Sequence, residues 1–97
     1  VSAATAALPV RLTHHSRERV AQRVGPIPAS AVVGEIRAAL ADGRSACRKP
    51  SFLNQRRVKN HPGRGRVRFV WPESCDRAYV VRMTSDAVVV LTVEVPQ

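Results

Sequence analysis

Apolar positions recur along the chain with two different periods. Leu12, Ser16, Val20 and Val24 stand at spacings of four, one narrow stripe that predicts a short helix over residues 13–24. Thr13 supplies its N-cap and Gly25-Pro26 its stop. A second helix is expected to begin near Pro28, where a missing N–H is no loss in the first turn. Its inner face is read as Val33, Ile36 and Leu40, and Gly43 provides the C-terminal stop. After residue 66 the period changes to two. Val67, Phe69 and Trp71 point one way while Arg66 and Arg68 point the other, until Pro72 ends the strand. Tyr79, Val81 and Met83 mark a second strand, and Ser85-Asp86 a tight turn. Residues 87–95 form a third strand, with Val89, Leu91, Val93 and Val95 alternating against Val88, Val90, Thr92 and Glu94. The predicted class is α+β, with two N-terminal helices packed on one face of a three- to four-stranded antiparallel β-sheet.

Ninety-seven residues, 44% of them apolar, suffice for one domain with its own core and exclude a disordered tail. Residues 1–10 read as a flexible leader or linker and residues 11–97 as the single domain. Because the sequence does not start with Met, it is read as a fragment or processed product of a longer protein. No apolar run approaches the roughly 20 residues that a membrane-spanning helix needs, so no membrane partner is expected. Cys47 and Cys75 lack C-x-x-C spacing; two free thiols are expected, with one disulfide as the alternative.

Charge narrows the partner. Sixteen Lys and Arg against seven Asp and Glu give +9, and fourteen of the sixteen are Arg. Such a field attracts polyanions, and the guanidinium fork pairs phosphate in a bidentate way that Lys cannot. GC-rich coding also favours Arg over Lys, but it does not account for the net charge. Nine basic residues, Arg44, Arg48, Lys49, Arg56, Arg57, Lys59, Arg64, Arg66 and Arg68, lie between Gly43 and Pro72 with no acid among them. The stretch through Gly63 reads as a long functional loop with a helical turn around Leu53. Arg48, Lys49, Arg56, Arg57, Lys59, His61, Arg66 and Arg68 are the candidates for binding backbone phosphates, with Lys59 and His61 also placed to supply an acid. Phe69, Trp71 and Tyr79 fit core packing better than base stacking. The three histidines and two cysteines show no metal-ligand spacing, so no metal and no cofactor are expected.

The first helix carries the sharpest pattern. His15, Arg19 and Arg23 recur at i, i+4 and i+8, and their face lies about 100° of helix rotation from the apolar stripe. An imidazole beside guanidinium groups offers a proton carrier and fixed positive charge for a developing phosphorane. A solvated basic face accounts for the same spacing equally well from composition alone. Glu94 shares a strand face with Thr92, as a base, as a partner for an Arg, or as a solvated edge carboxylate.

The run Leu12-Thr13-His14-His15-Ser16-Arg17-Glu18-Arg19-Val20-Ala21-Gln22-Arg23, then a second amphipathic helix and strands ending Val90-Leu91-Thr92-Val93, resembles a group of small prokaryotic and phage domains. In these a T-x-H-x-x-x-R-x-x-x-R helix precedes a β-meander whose last strand carries T-V. They look like members of the RelE-like, barnase/EndoU-like superfamily of toxin ribonucleases. The resemblance spans residues 12–95 in element order, with motif-level matches in the first helix and around Thr92. The Arg-rich loop is longer than that pattern expects. The resemblance implies a metal-independent endoribonuclease toxin with His15, Arg19 and Thr92 as catalytic residues and Arg23 as a substrate-binding one. It also implies RNA as partner, whether tRNA or ribosome-bound mRNA, an acidic immunity protein or antitoxin, and action in the cytoplasm after delivery as the C-terminal domain of a larger secreted protein. The alternatives from other classes are a non-catalytic nucleic-acid-binding module and a phage-type inhibitor of an acidic host protein.

Overall fold

The computed structural model describes residues 8–53 and 67–96. Its elements in chain order are β1 (Val10–Leu12), α1 (His14–Arg23), α2 (Ala29–Ala41), β2 (Ser45–Ala46), a 3-10 turn (Ser51–Leu53), β3 (Val67–Val70), β4 (Ala78–Met83) and β5 (Val88–Glu94). The sheet runs β1-β5-β4-β3-β2. The three expected strands form an antiparallel meander, so the α+β class stands. Two short edge strands bring the sheet to five. β1 pairs parallel with β5, and β2 pairs antiparallel with β3. The ordered fold therefore starts before residue 11. Leu8 packs on the core, and the Pro9 carbonyl accepts from Val88 N–H at 2.8 Å. Residues 1–7 of the expected leader lie outside the described residues.

Local chemistry sets the helix ends. Thr13 Oγ1 accepts from Ser16 N–H at 3.0 Å, the N-cap read from the sequence. The buried Ser16 hydroxyl donates back to the Thr13 carbonyl at 2.8 Å. α2 ends in a double turn: Arg44 N–H bonds the Ala39 carbonyl and Gly43 N–H bonds Leu40, with Gly43 at φ 76°. A left-handed residue at that point favours glycine.

The sheet has two covered faces. On one, Val20, Val32, Ile36, Ala39 and Leu40 of the helices meet Val70, Tyr79, Val81, Val88, Val90 and Val93. Of the expected α2 stripe, Ile36 and Leu40 are buried; Val32 takes the place of the half-buried Val33, and Ala39 joins it. On the other face, Leu53 and Phe52 of the 3-10 turn lie over Val67, Phe69, Ala78 and Val80. Phe52 meets Trp71 edge-on with ring centroids 6.1 Å apart. β5 corrects its predicted alternation. Val80 pairs with Thr92 and Val81 with Val90, so Leu91 is an extra, bulged residue. Val88, Val90 and Val93 therefore face the helices, and Val89, Leu91, Thr92 and Glu94 share the opposite face.

A polar tie locks α2 onto β4. Glu35 accepts from Arg77 Nη2, from Arg77 Nε at 3.2 Å and from Tyr79 Oη at 2.5 Å. Arg77 also pairs with Asp76. Burial, then the Glu35 carboxylate, pushes the Tyr79 phenol above its ordinary range. The hydrogen bond to Glu35 holds the Arg77 guanidinium above its own, against the opposing effect of burial.

Candidate nucleic-acid interface

α1 lies along the edge of β5 that β1 leaves uncovered. At its start, Thr13 N–H and Oγ1 both donate to the Val90 carbonyl, at 3.3 and 3.1 Å. At its end, Arg23 Nη1 donates to the Val93 carbonyl at 2.7 Å. These contacts occupy carbonyls that an open strand edge would offer to another chain. His15 and Arg19 stand between the two anchors, on the same helical row as Arg23.

That row faces a defined side of the sheet. Arg23 Nη1 lies 3.2 Å from Glu94 Oε1, and Glu94 is on the face opposite α2, two residues beyond Thr92. The Arg23–Glu94 pair thus brings the α1 row and the Thr92 face to one rim of the domain. It also selects among the readings of Glu94, whose carboxylate orients an arginine. Arg23, expected to bind substrate, spends Nη1 on Val93 and Glu94 and holds helix to strand.

Within the row, Arg19 Nε donates to His15 Nε2 at 3.4 Å and Arg19 Nη1 to Gln22 Oε1 at 2.9 Å. In the first bond the imidazole Nε2 is the acceptor, so its lone pair is engaged by Arg19. His15 is exposed and Arg19 half-buried. The Nε2 lone pair can take a proton once Arg19 Nε lets it go, and the guanidinium so released can hold an anion. The neighbouring His14 is turned to Glu18 at 3.0 Å and takes no part in this row.

The remaining candidates separate. Arg48 is exposed and Lys49 half-buried beyond β2. Arg68 lies on the helix-bearing face, opposite to Thr92, where Nη2 donates to Ser45 Oγ at 3.3 Å and Nη1 to Cys47 Sγ at 3.5 Å. Arg56, Arg57, Lys59, His61 and Arg66 lie outside the described residues. Both cysteines are free and exposed. Among the described residues no three His, Cys, Asp or Glu side chains gather in a metal-binding group, and no helix is long and apolar enough to cross a membrane. An open groove of about 220 Å³ lined by Leu12, Arg17, Val20, Ile27, Ala29 and Val32 sits on the helix side and contains none of the candidate residues.

The sequence pattern did not single out Gln22, Arg11 or Arg82. Gln22 follows Arg19 at i+3, a spacing that brings side chains together on a helix. Arg11 and Arg82 acquire meaning only from strand register. No known protein family, curated protein or solved structure matches the chain.

Proposed function

We propose that the chain is a metal-independent endoribonuclease domain. The observation that carries this reading is that α1, with its His15–Arg19 pair, is anchored to β5 at the carbonyls of Val90 and Val93, on either side of Thr92, and at Glu94. As Arg19 turns from His15 to the phosphate, His15 Nε2 is freed and takes the proton of a ribose 2′-hydroxyl, whose oxygen attacks the adjacent phosphorus. The bond from phosphorus to the 5′-oxygen breaks, leaving a 2′,3′-cyclic phosphate and a 5′-hydroxyl that gains its proton from solvent or a second acid. Arg19 stabilises the charge that develops on the phosphoryl oxygens, and the Thr92 hydroxyl donates to one of them. The nucleophile belongs to the substrate, so this chemistry needs no metal-activated water. Glu94 acts through Arg23, which it orients.

A toxin of this kind acts in the cytoplasm of its target, delivered as the C-terminal part of a longer secreted protein. Its producer needs an acidic immunity protein or antitoxin, since a +9 chain favours a partner of opposite charge. The test is incubation of the purified chain with total RNA in EDTA. Discrete fragments ending in cyclic phosphate support the reading, and no cutting above the His15→Ala background overturns it.

One observation favours a second reading. The hydrogen bonds of Arg19 run within α1, to His15 and Gln22, as on a helix face that only meets solvent or backbone phosphate. A non-catalytic RNA-binding module of this kind would bind RNA as well with His15→Ala as without it.

A further inference from the structure

The face of the sheet that carries Thr92 is covered over β3 and β4 by Phe52, Leu53 and Trp71. Leu91 of β5 also packs against that cluster, while over β1 and the start of β5 no described residue belongs to it. Arg11 is paired in register with Val89, and Val89 with Arg82. Directly opposed residues share a face, and the neighbours of Arg11 on β1, Val10 and Leu12, pack on the helix side. Arg11 and Arg82 therefore stand on this face to either side of Val89, two strand spacings or about 10 Å apart. Both are exposed, and Val89 and Leu91 are half-buried.

Among the described residues, five of the seven acids are paired with side chains other than Arg11 and Arg82: Glu18 with His14 and four with arginines, while Asp86 accepts from Thr84 Oγ1 in the β4–β5 turn. Glu94 holds Arg23, Asp42 holds Arg44, and Glu35 and Asp76 hold Arg77. Among the described residues, neither Arg11 nor Arg82 has an ion-pair partner. Two unneutralised guanidinium groups beside an aliphatic strip form a surface complementary to a polyanion with apolar faces between its charges. Along β5, Val89 lies three residues from Thr92, again about 10 Å. A strand with one phosphate at Thr92 thus reaches this pair with a neighbouring phosphate, not the scissile one.

We propose that Arg11 and Arg82 form a subsite for the backbone of single-stranded RNA flanking the cleavage point. Its placement relative to Thr92 rests on the ribonuclease reading, whereas its affinity for RNA does not. Neither residue touches the reacting atoms, so the subsite acts on affinity for long substrates and leaves the bond-breaking step alone.

The experiment measures binding of a fluorescent single-stranded 2′-O-methyl RNA, which has no attacking hydroxyl, across a range of salt concentrations. Each phosphate contact on a single strand contributes a slope of about 0.7 in log K against log salt, so the Arg11→Gln/Arg82→Gln pair should lower the slope by about 1.4. It should also weaken binding roughly 10-fold or more near 0.1 M salt. Arg17→Gln, on the opposite side of α1, should leave the slope as it is. The Arg11→Lys/Arg82→Lys pair keeps the charge and should keep the slope, with melting temperatures in parallel to show that all variants fold. An unchanged slope in the double Gln variant, an equal loss at Arg17, or no binding of this RNA by the unmutated chain overturns the subsite. Failure of the ribonuclease reading looks different: RNA stays uncut while the slope still depends on Arg11 and Arg82.

Discussion

The rim between α1 and β5 separates residues that should affect activity alone from residues that should affect stability as well. His15 is exposed, and the contacts of Arg19 to His15 and Gln22 lie at the surface. Such contacts are worth about 0–1 kcal/mol to folding. His15→Ala and Arg19→Ala should therefore shift the melting temperature by no more than a few degrees. Their cost to cleavage should be large, about 10²–10⁴-fold for loss of a proton carrier and about 10²–10³-fold for loss of a preorganised donor to the phosphoryl oxygens. Thr92→Val keeps the β-branched shape and removes the hydroxyl, and a loss of about 10²-fold is expected. Arg23 behaves differently. Its Nη1 bonds the Val93 carbonyl at 2.7 Å and lies 3.2 Å from Glu94, with a third of the side chain exposed. A hydrogen bond involving a charged group is worth about 1.5–3 kcal/mol; discounted for exposure, Arg23→Ala should cost about 1–2 kcal/mol. For a domain of this size that is roughly 5–15 °C in melting temperature. The assay is cleavage of a fluorescent oligoribonucleotide by each purified variant, with thermal melts in parallel and Arg17→Ala as the control. Equal, mild losses at His15, Arg19, Thr92 and Arg17 would mean that charge alone is at work. Loss of activity tracking loss of melting temperature across the set would refute the separation.

Glu35→Ala strips the buried Tyr79 hydroxyl and the Arg77 guanidinium of their shared acceptor; with Asp76 still beside Arg77, a loss of about 2–3 kcal/mol is expected by denaturant unfolding, and a change below about 0.5 kcal/mol would place the tie outside the stabilising contacts. Because the phenol of Tyr79 is raised in the folded state, the native chain keeps its proton where the unfolded chain begins to lose it, near pH 10. Stability is therefore present below about pH 10 and falls as the pH rises further; Tyr79→Phe should flatten that fall in melts between pH 9 and 11, and phenolate absorbance from the single tyrosine should appear only on unfolding. Leu53→Ala leaves a cavity under the 3-10 turn and should cost about 2–4 kcal/mol, with a change in the fluorescence of Trp71, whose ring meets Phe52.

What was legible in the sequence was whatever repeats locally. Ser16 and Val20 sit on the buried side of α1 as their spacing requires, and Gly43 ends α2 in the left-handed conformation. In α2, Ile36 and Leu40 are buried as read; Val33 gives way to Val32, since two adjacent valines leave the choice open, and Ala39 is too small to announce a core position. β1 escaped notice because three residues carry no period, and its partner lies at the far end of the chain. In β5 the run Val88-Val89-Val90-Leu91 contains no polar residue, so its inner face could be set only by counting back from Thr92 and Glu94. That count crosses the bulge at Leu91 and inverts the outcome for Val88 and Val90. Thr92 and Glu94 lie on one face as read, since no bulge separates them.

The charge of the chain shows most sharply what pattern alone leaves open. A net +9 treats every arginine alike, but the fold sorts them. Arg23, Arg44 and Arg77 meet carboxylates that are near them only in space or across a turn, and Arg68 is turned toward Ser45 and Cys47 beneath the helix-bearing face. Arg19, Arg11 and Arg82 keep no acidic partner among the described residues. Arg11 and Arg82 lie on the face of the sheet that carries Thr92, and Arg19 stands at its rim. Arg11 and Arg82 are remote in sequence from each other and from the basic loop, and strand register alone makes them neighbours across Val89. On the proposed reading, an RNA backbone would run along β5 from the Arg11–Arg82 pair toward His15 and Arg19, a path that the register of β1, β5 and β4 defines and that net charge does not.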